Sequence, residues 1–264
     1  MRINVLGSSS AGNSTLIVAG STRVLVDAGF SARETKARLK TIGEDLANIA
    51  AIVITHEHSD HIRGAPVLAR SLGIPVFISR RALDSWHTVK RGDELATNQF
   101  ITAEQPFQIG EIAFYPFEVP HDAAETLAFT LEAQGVRVGF VTDLGYVPQM
   151  VAHHLQGCDA LILEANHDLE MLRVGPYPWS LKQRVMSRHG HLSNDEMARF
   201  LREDFDGRAQ YILLAHLSQK NNHPEIARMT AIEALASRSP LLAHEAEQRV
   251  RISHHDRPMD WIDL

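Results

Sequence analysis

Ile49-Ala50-Ala51-Ile52-Val53-Ile54-Thr55-His56-Glu57-His58-Ser59-Asp60-His61 is the stretch on which the fold turns. Residues 49–54 are apolar and rich in β-branched side chains, the pattern of a short strand buried on both faces. Residues 56–61 then place three histidines and one aspartate in the spacing H-x-H-x-D-H. The polar group therefore sits where a buried strand ends, a position that open ligand sites in layered α/β folds favour. Imidazole and carboxylate are the common ligands of zinc and similar divalent ions. On a loop this tight the ligands can divide between two adjacent ions. A merely solvated polar loop is the alternative. Four ligand-type residues in six positions behind a buried run argue against it.

Outward from this stretch the same plan recurs. Apolar, strand-like segments precede His121, Asp143 and His216. Upstream, Arg2 to Leu6 reads as a first strand, followed by the small, hydroxyl-rich loop Gly7-Ser8-Ser9-Ser10-Ala11-Gly12-Asn13-Ser14. Such composition makes turns, or offers N–H and hydroxyl groups to a phosphate; the lysine of a P-loop is absent. Thr15 to Val18 and Arg23 to Val26 read as a hairpin turned at Gly20-Ser21 and closed by Asp27-Ala28-Gly29. Ser31-Ala32-Arg33-Glu34 is a capping box that opens a helix to about Ile42. Further helices are expected over Gly64–Leu72, Arg80–Lys90 and Pro148–Leu155, with strands over Val76–Ile78 and Ala160–Leu163. Arg80, Arg81, Lys90 and Arg91, near the ends of the second of these helices, read as a solvated face. Phe107–Ile109, Glu111–Tyr115, Thr126–Glu132 and Arg137–Val141 read as a second, antiparallel-type sheet. The expectation is one α/β domain over residues 1–264, a sandwich of two β-sheets with helices outside.

Bulk properties narrow the function. The chain has 264 residues, 44% of them hydrophobic and 22% charged, enough for a sizeable core. The net charge of −6 excludes a protein that coats duplex DNA through charge alone, so any nucleic-acid contact must be local. The single cysteine, Cys158, rules out an internal disulfide and fits a reducing cytoplasm. No signal peptide is recognisable, and no apolar run approaches the ~20 residues of a membrane span.

These motifs resemble the metallo-β-lactamase superfamily over nearly the whole chain. The resemblance implies an αββα sandwich of two mixed β-sheets, with two divalent metal ions, zinc or manganese. It implies that His56, His58 and His121 hold one ion and Asp60, His61 and His216 the other, with Asp143 bridging. Leu163-Glu164-Ala165-Asn166-His167-Asp168 and His189-Gly190-His191-Leu192-Ser193-Asn194 resemble the Glu-containing and Gly-His-Ser/Thr segments of the tRNase Z branch. That likeness implies that Glu164 orients His191 and that His191 protonates the leaving oxygen, with Asp60 orienting the nucleophile. Ser193-Asn194-Asp195-Glu196 is itself a capping box, which accounts for Ser193 but not for His191. The chain lacks the glycine- and proline-rich arm of tRNase Z, and has no room after Asp143 for the inserted domain of the β-CASP nucleases.

Overall, the sequence is most similar to the YycJ/WalJ family, through Gly7–Ser14, Glu164–Asp168, His189–Asn194 and Ala215–Pro224. This implies a cytoplasmic 5′-to-3′ DNA exonuclease. Ser9, Asn13, His189 and His223 are then the candidates for holding the non-reacting phosphate. The alternatives are a tRNase Z-like endonuclease and a small-molecule phosphodiesterase acting on a cyclic nucleotide or phosphate. A non-catalytic binding protein of the same fold is the remaining class, disfavoured by the complete ligand set.

Overall fold

The computed structural model describes residues 1–89 and 97–264. In chain order its strands are β1 (Arg2–Ser9), β2 (Gly12–Ala19), β3 (Thr22–Val26), β4 (Ala51–Val53), β5 (Val76–Ser79), β6 (Asn98–Ile101) and β7 (Phe107–Ile109). They continue with β8 (Ile112–Glu118), β9 (Leu127–Ala133), β10 (Val136–Val141), β11 (Ala160–Glu164), β12 (Tyr211–Ala215), β13 (Val250–Ile252) and β14 (Ile262–Asp263). They form two mixed sheets of seven strands each, one in the order β14-β1-β2-β3-β4-β5-β6, the other made of β7 to β13. With their helices these are the sheets of an αββα sandwich.

The chain divides into two compact units. The first comprises Met1–Glu118, Ala123–Gly135 and His254–Leu264. Here β1, β2 and β3 run antiparallel and β3 to β6 parallel. Ala51-Ile52-Val53 is wholly buried, as its unbroken apolar run requires. The helices Ala32–Thr41 and Ala65–Leu72 contribute Leu39 and Leu68, and the helix Arg80–Val89 contributes Leu83 and Trp86, to one core with Leu16, Leu25 and Ile52. Each such side chain contributes roughly 2 kcal/mol by leaving water. Ser31 caps its helix by accepting the N–H of Glu34, while Glu34 pairs with Arg38 rather than reaching back to the cap. Lys90 and Arg91 lie outside the described residues.

The second unit comprises Val119–Asp122 and Val136–Ser253. Its strands β10, β11, β12 and β13 are all parallel. β7, β8 and β9 pair antiparallel, and β9 is joined to its neighbour β10 by two residues, a connection too short for a parallel pair. Arg137–Val141 thus closes the antiparallel-type sheet expected from the sequence on one edge and opens a parallel half on the other, which the sequence reading did not include. The reason lies in burial: β11 is buried at every residue, and strands covered on both faces pair in parallel through helical crossovers. The helices Asn194–Glu203 and Pro224–Arg238 supply buried Met197, Phe200, Leu201, Ala231 and Leu235. Cys158 is buried, and burial pushes its thiol up to about 11, so it stays protonated. Among the described residues no helix is long and apolar enough to cross a membrane.

Candidate metal centre

In the first unit the parallel strands β3 and β4 end side by side, and their ends are tied together. Asp27 follows β3 in the left-handed region at φ 62° and is buried. Its carboxylate accepts the Thr55 N–H at 2.9 Å and the Thr55 hydroxyl at 3.0 Å. It also accepts from His61 Nδ1 at 2.7 Å. Because the Thr55 hydroxyl donates to Asp27, it accepts from His56 Nδ1, 3.0 Å away. Burial pushes the Asp27 carboxyl up, against the pull of His61 and Thr55. His58 precedes a one-turn helix, Ser59–Ile62, which carries Asp60 and His61. The His56 ring lies 4.6 Å from that of His58 and 4.2 Å from that of His61, centroid to centroid. Gly29 backs the loop so closely that a Cβ there would lie 1.6 Å from the Asp60 carbonyl oxygen.

The Gly7–Ser14 segment is mostly strand. β1 continues to Ser9 and β2 starts at Gly12, so only Ser10 and Ala11 make the turn. Asn13 Oδ1 accepts from Ser8 Oγ and the Ser9 N–H at 2.8 and 3.0 Å. Its Nδ2 faces the Ser9 carbonyl at 3.0 Å, Asp60 Oδ2 at 3.2 Å and His61 Nε2 at 3.0 Å. Asn13 therefore holds the hairpin to the histidine loop. Ser9 is buried and its Oγ accepts the Ala11 N–H at 3.1 Å within the turn.

In the second unit Asp143, Glu164, His191 and His216 each offer an atom within 4.8 Å of the others. Three follow parallel strands: Asp143 after β10, Glu164 at the end of β11, His216 after β12. Asp143 and His216 are left-handed, at φ 61° and 58°. One oxygen, Glu164 Oε1, accepts from His191 Nδ1 at 2.8 Å and from His216 Nδ1 at 2.9 Å. Its other oxygen accepts the N–H of Leu144 at 2.9 Å and of Leu192 at 3.1 Å. Burial alone would raise the Glu164 carboxyl, but His191 and His216 outweigh it and hold the group well below the usual range. Burial likewise works against a charged His191, and the facing Glu164 carboxylate wins, raising His191. His121 donates from Nδ1 to the Gly190 carbonyl at 2.9 Å, and its Nε2 lies 3.9 Å from Asp143. Burial lowers His121 and keeps it neutral.

The donor set fits a divalent cation. In each unit, two histidines have Nδ1 fixed as a donor: His56 to Thr55 and His61 to Asp27, then His121 to Gly190 and His216 to Glu164. That fixes the tautomer and puts the lone pair on Nε2, which on His61 faces Asn13 Nδ2 at 3.0 Å; histidines bind metals in this tautomer with a supporting carboxylate or carbonyl behind them. The histidine–carboxylate clusters are thus compatible with divalent metal binding. The remaining sequence candidates are His189 and His223. His189 is exposed, with its N–H on Ser187 Oγ at 3.3 Å. His223 caps the helix Pro224–Arg238, accepting the Glu225 N–H at 3.3 Å.

Sequence reasoning gave no role to Asp27, Thr55 or His167. For Asp27 the signal was an acidic residue directly behind a strand and ahead of Ala-Gly. His167 is buried, and neither ring nitrogen has a hydrogen-bond partner among the described residues. Burial pushes it down to about 4, against the upward pull of Glu164. The folded chain therefore keeps His167 neutral, while the unfolded chain binds a proton below the ordinary value of 6.5. Its contribution is complete above pH 6.5 and is lost as the pH falls towards 4. The gap corresponds to about 3 kcal/mol. Urea unfolding of metal-free wild-type and His167→Asn at pH 7 and about pH 4.5 checks this: the variant should lose about 2 kcal/mol less between the two conditions. Equal losses would place the acid sensitivity elsewhere.

The family model for the beta-lactamase superfamily domain matches residues 22–217. The chain is 35% identical over 238 residues to the exodeoxyribonuclease YycJ of Bacillus anthracis, covering 89% of each. It is 35% identical over 237 residues to the exodeoxyribonuclease WalJ of Streptococcus pneumoniae, covering 89% of this chain and 88% of that one. Human tRNase Z, short form, shares the fold with a TM-score of 0.66 at 18% identity, the alignment covering 100% of both chains. A complete metallo-β-lactamase architecture, a histidine–carboxylate cluster behind its strand ends and a relationship spanning most of the sequence agree: the chain belongs to the metallo-β-lactamase superfamily, in the branch that holds YycJ and WalJ.

Proposed function

We propose that the protein is a dinuclear metal-dependent phosphodiester hydrolase that degrades DNA exonucleolytically from the 5′ end. The observation that carries the reading is the shared Glu164 oxygen, which places a proton-bearing His191 beside His216. In this assignment His56, His58 and His121 would hold one cation, Asp60, His61 and His216 would hold the other, and Asp143 would serve both. Nitrogen and oxygen donors suit zinc and manganese. When bound, such cations supply an activated water at neutral pH and neutralise charge on the phosphoryl oxygens. Asp60 orients the attacking water. Glu164 holds the His191 ring with Nδ1 towards itself, so Nε2 carries the proton that passes to the departing sugar oxygen. Asn13 acts through Asp60 and His61, and Ser9 shapes the turn beside it. His189, two residues before His191, and His223 remain the contacts proposed for the non-reacting phosphate. The cytoplasm is the compartment that goes with this reading, in keeping with the single cysteine.

The experiment uses single-stranded DNA of one sequence in linear and circular form, the linear strand labelled at either end. The linear strand should shorten from its 5′ end and the circle should survive. Efficient cutting of the circle would instead mean a tRNase Z-like endonuclease. Turnover confined to bis-p-nitrophenyl phosphate or cyclic nucleotides would mean a small-molecule phosphodiesterase.

A further inference from the structure

Residues 169–191 have a composition unlike the rest of this acidic chain. They hold four basic residues, Arg173, Lys182, Arg184 and Arg188, against one acidic residue, Glu170. Three of the four are engaged: Arg173 pairs with Glu170, Lys182 Nζ donates to the Arg173 carbonyl, and Arg184 pairs with Asp122. For Arg188 no carboxylate partner occurs among the described residues. Its guanidinium lies 4.3 Å over the Tyr146 ring. The backbones that carry the pair run close together, since a Cβ on Gly145 would lie 2.3 Å from the Arg188 backbone. Lys220, likewise without a carboxylate partner among the described residues, has its ammonium 5.8 Å over the Tyr177 ring. Between them in sequence Trp179 leaves 62% of its surface in solvent, and Val174 85%. Tyr146 follows Asp143, Arg188 precedes His191 and Lys220 follows His216, each by three or four residues. Two cation–aromatic pairs therefore stand within a few residues of Asp143, His191 and His216, and an exposed indole opens the helix Trp179–Val185 that leads into the His191 segment.

We propose that Trp179, Tyr146–Arg188 and Tyr177–Lys220 form a track for single-stranded DNA leading to His191. The occupant follows from charge and shape together. Aromatic faces stack on any base and cations neutralise phosphates, the combination that binds single strands without reading sequence. It also resolves how a chain of net charge −6 engages a polyanion, by concentrating positive charge on one segment. The track rests on the nuclease reading, so binding is measured apart from cleavage. Trp179 fluorescence is titrated with a single strand of about 20 nucleotides in metal-loaded protein at several salt concentrations, long enough for several stacked bases. Quenching should vanish in Trp179→Phe while that variant keeps its affinity. Trp179→Ala should weaken binding about tenfold, the scale of one lost base stack. Arg188→Ala with Lys220→Ala should flatten the log–log salt slope by about 1.4, or ~0.7 for each single-strand phosphate contact released. The losses should grow with strand length and be small for a dinucleotide. Unchanged affinity and slope in these variants would overturn the track, as would an equal loss on the dinucleotide. A wild-type protein that binds the strand through Trp179 yet fails to cleave it would overturn the nuclease reading and leave the track standing.

Discussion

Asp143→Ala protein should carry at least one metal ion fewer than the wild type and show no measurable phosphodiesterase activity. The wild type should hold about two ions per chain by elemental analysis, as two-metal hydrolases do. Asp143 is the carboxylate assigned to both cations, so its loss removes a ligand from each. The backbone adds a second effect. Asp143 sits at φ 61°, where alanine is strained by on the order of 1–2 kcal/mol, whereas asparagine tolerates that region. Asp143→Asn should therefore match Asp143→Ala in lost metal and activity, yet melt close to metal-free wild type. This comparison separates the ligand from the turn. A wild-type preparation that is active without metal would overturn the assignment.

His191→Ala should lower kcat by roughly 10²–10⁴-fold, the scale of a lost general acid. Metal content should be unchanged, because His191 is not among the assigned ligands, and KM should move little if the group acts in the transition state. The loss should shrink on bis-p-nitrophenyl phosphate, whose p-nitrophenolate leaves without a proton. Equal losses on DNA and on this substrate would mean a structural or phosphate-binding role. Glu164→Gln separates differently. Glu164 holds His216 as firmly as it holds His191, so this variant should lose both metal affinity and kcat. Pairing the two variants distinguishes proton donation from the shared scaffold.

The histidine loop was legible because its ligand-type side chains lie within six residues of one another behind an apolar run. Ser31 and Ser193 were legible as caps for the same local reason, and both accept the expected N–H three residues on. Strand direction was not legible. Arg137–Val141 is legible as the continuation of a hairpin, but its parallel pairing with Ala160–Leu163 on the other edge is not. The helix Pro224–Arg238 was missed because its buried face is mostly alanine, which contrasts weakly with its surroundings. Asp27 and Glu164 show the other limit. Asp27 acts on a histidine 34 residues away and Glu164 on one 52 residues away, separations at which no spacing rule operates.

Asp27, Asp143 and His216 share one backbone state, left-handed and within two residues of the end of a parallel strand. Each aims its side chain by a conformation that glycine would adopt with less strain. The fold is thus locally frustrated at three of the positions that build its chemistry, and natural selection on stability alone would erode these positions first. Glycine or asparagine at all three would mark a descendant released from catalysis, more robust than its parent and chemically silent.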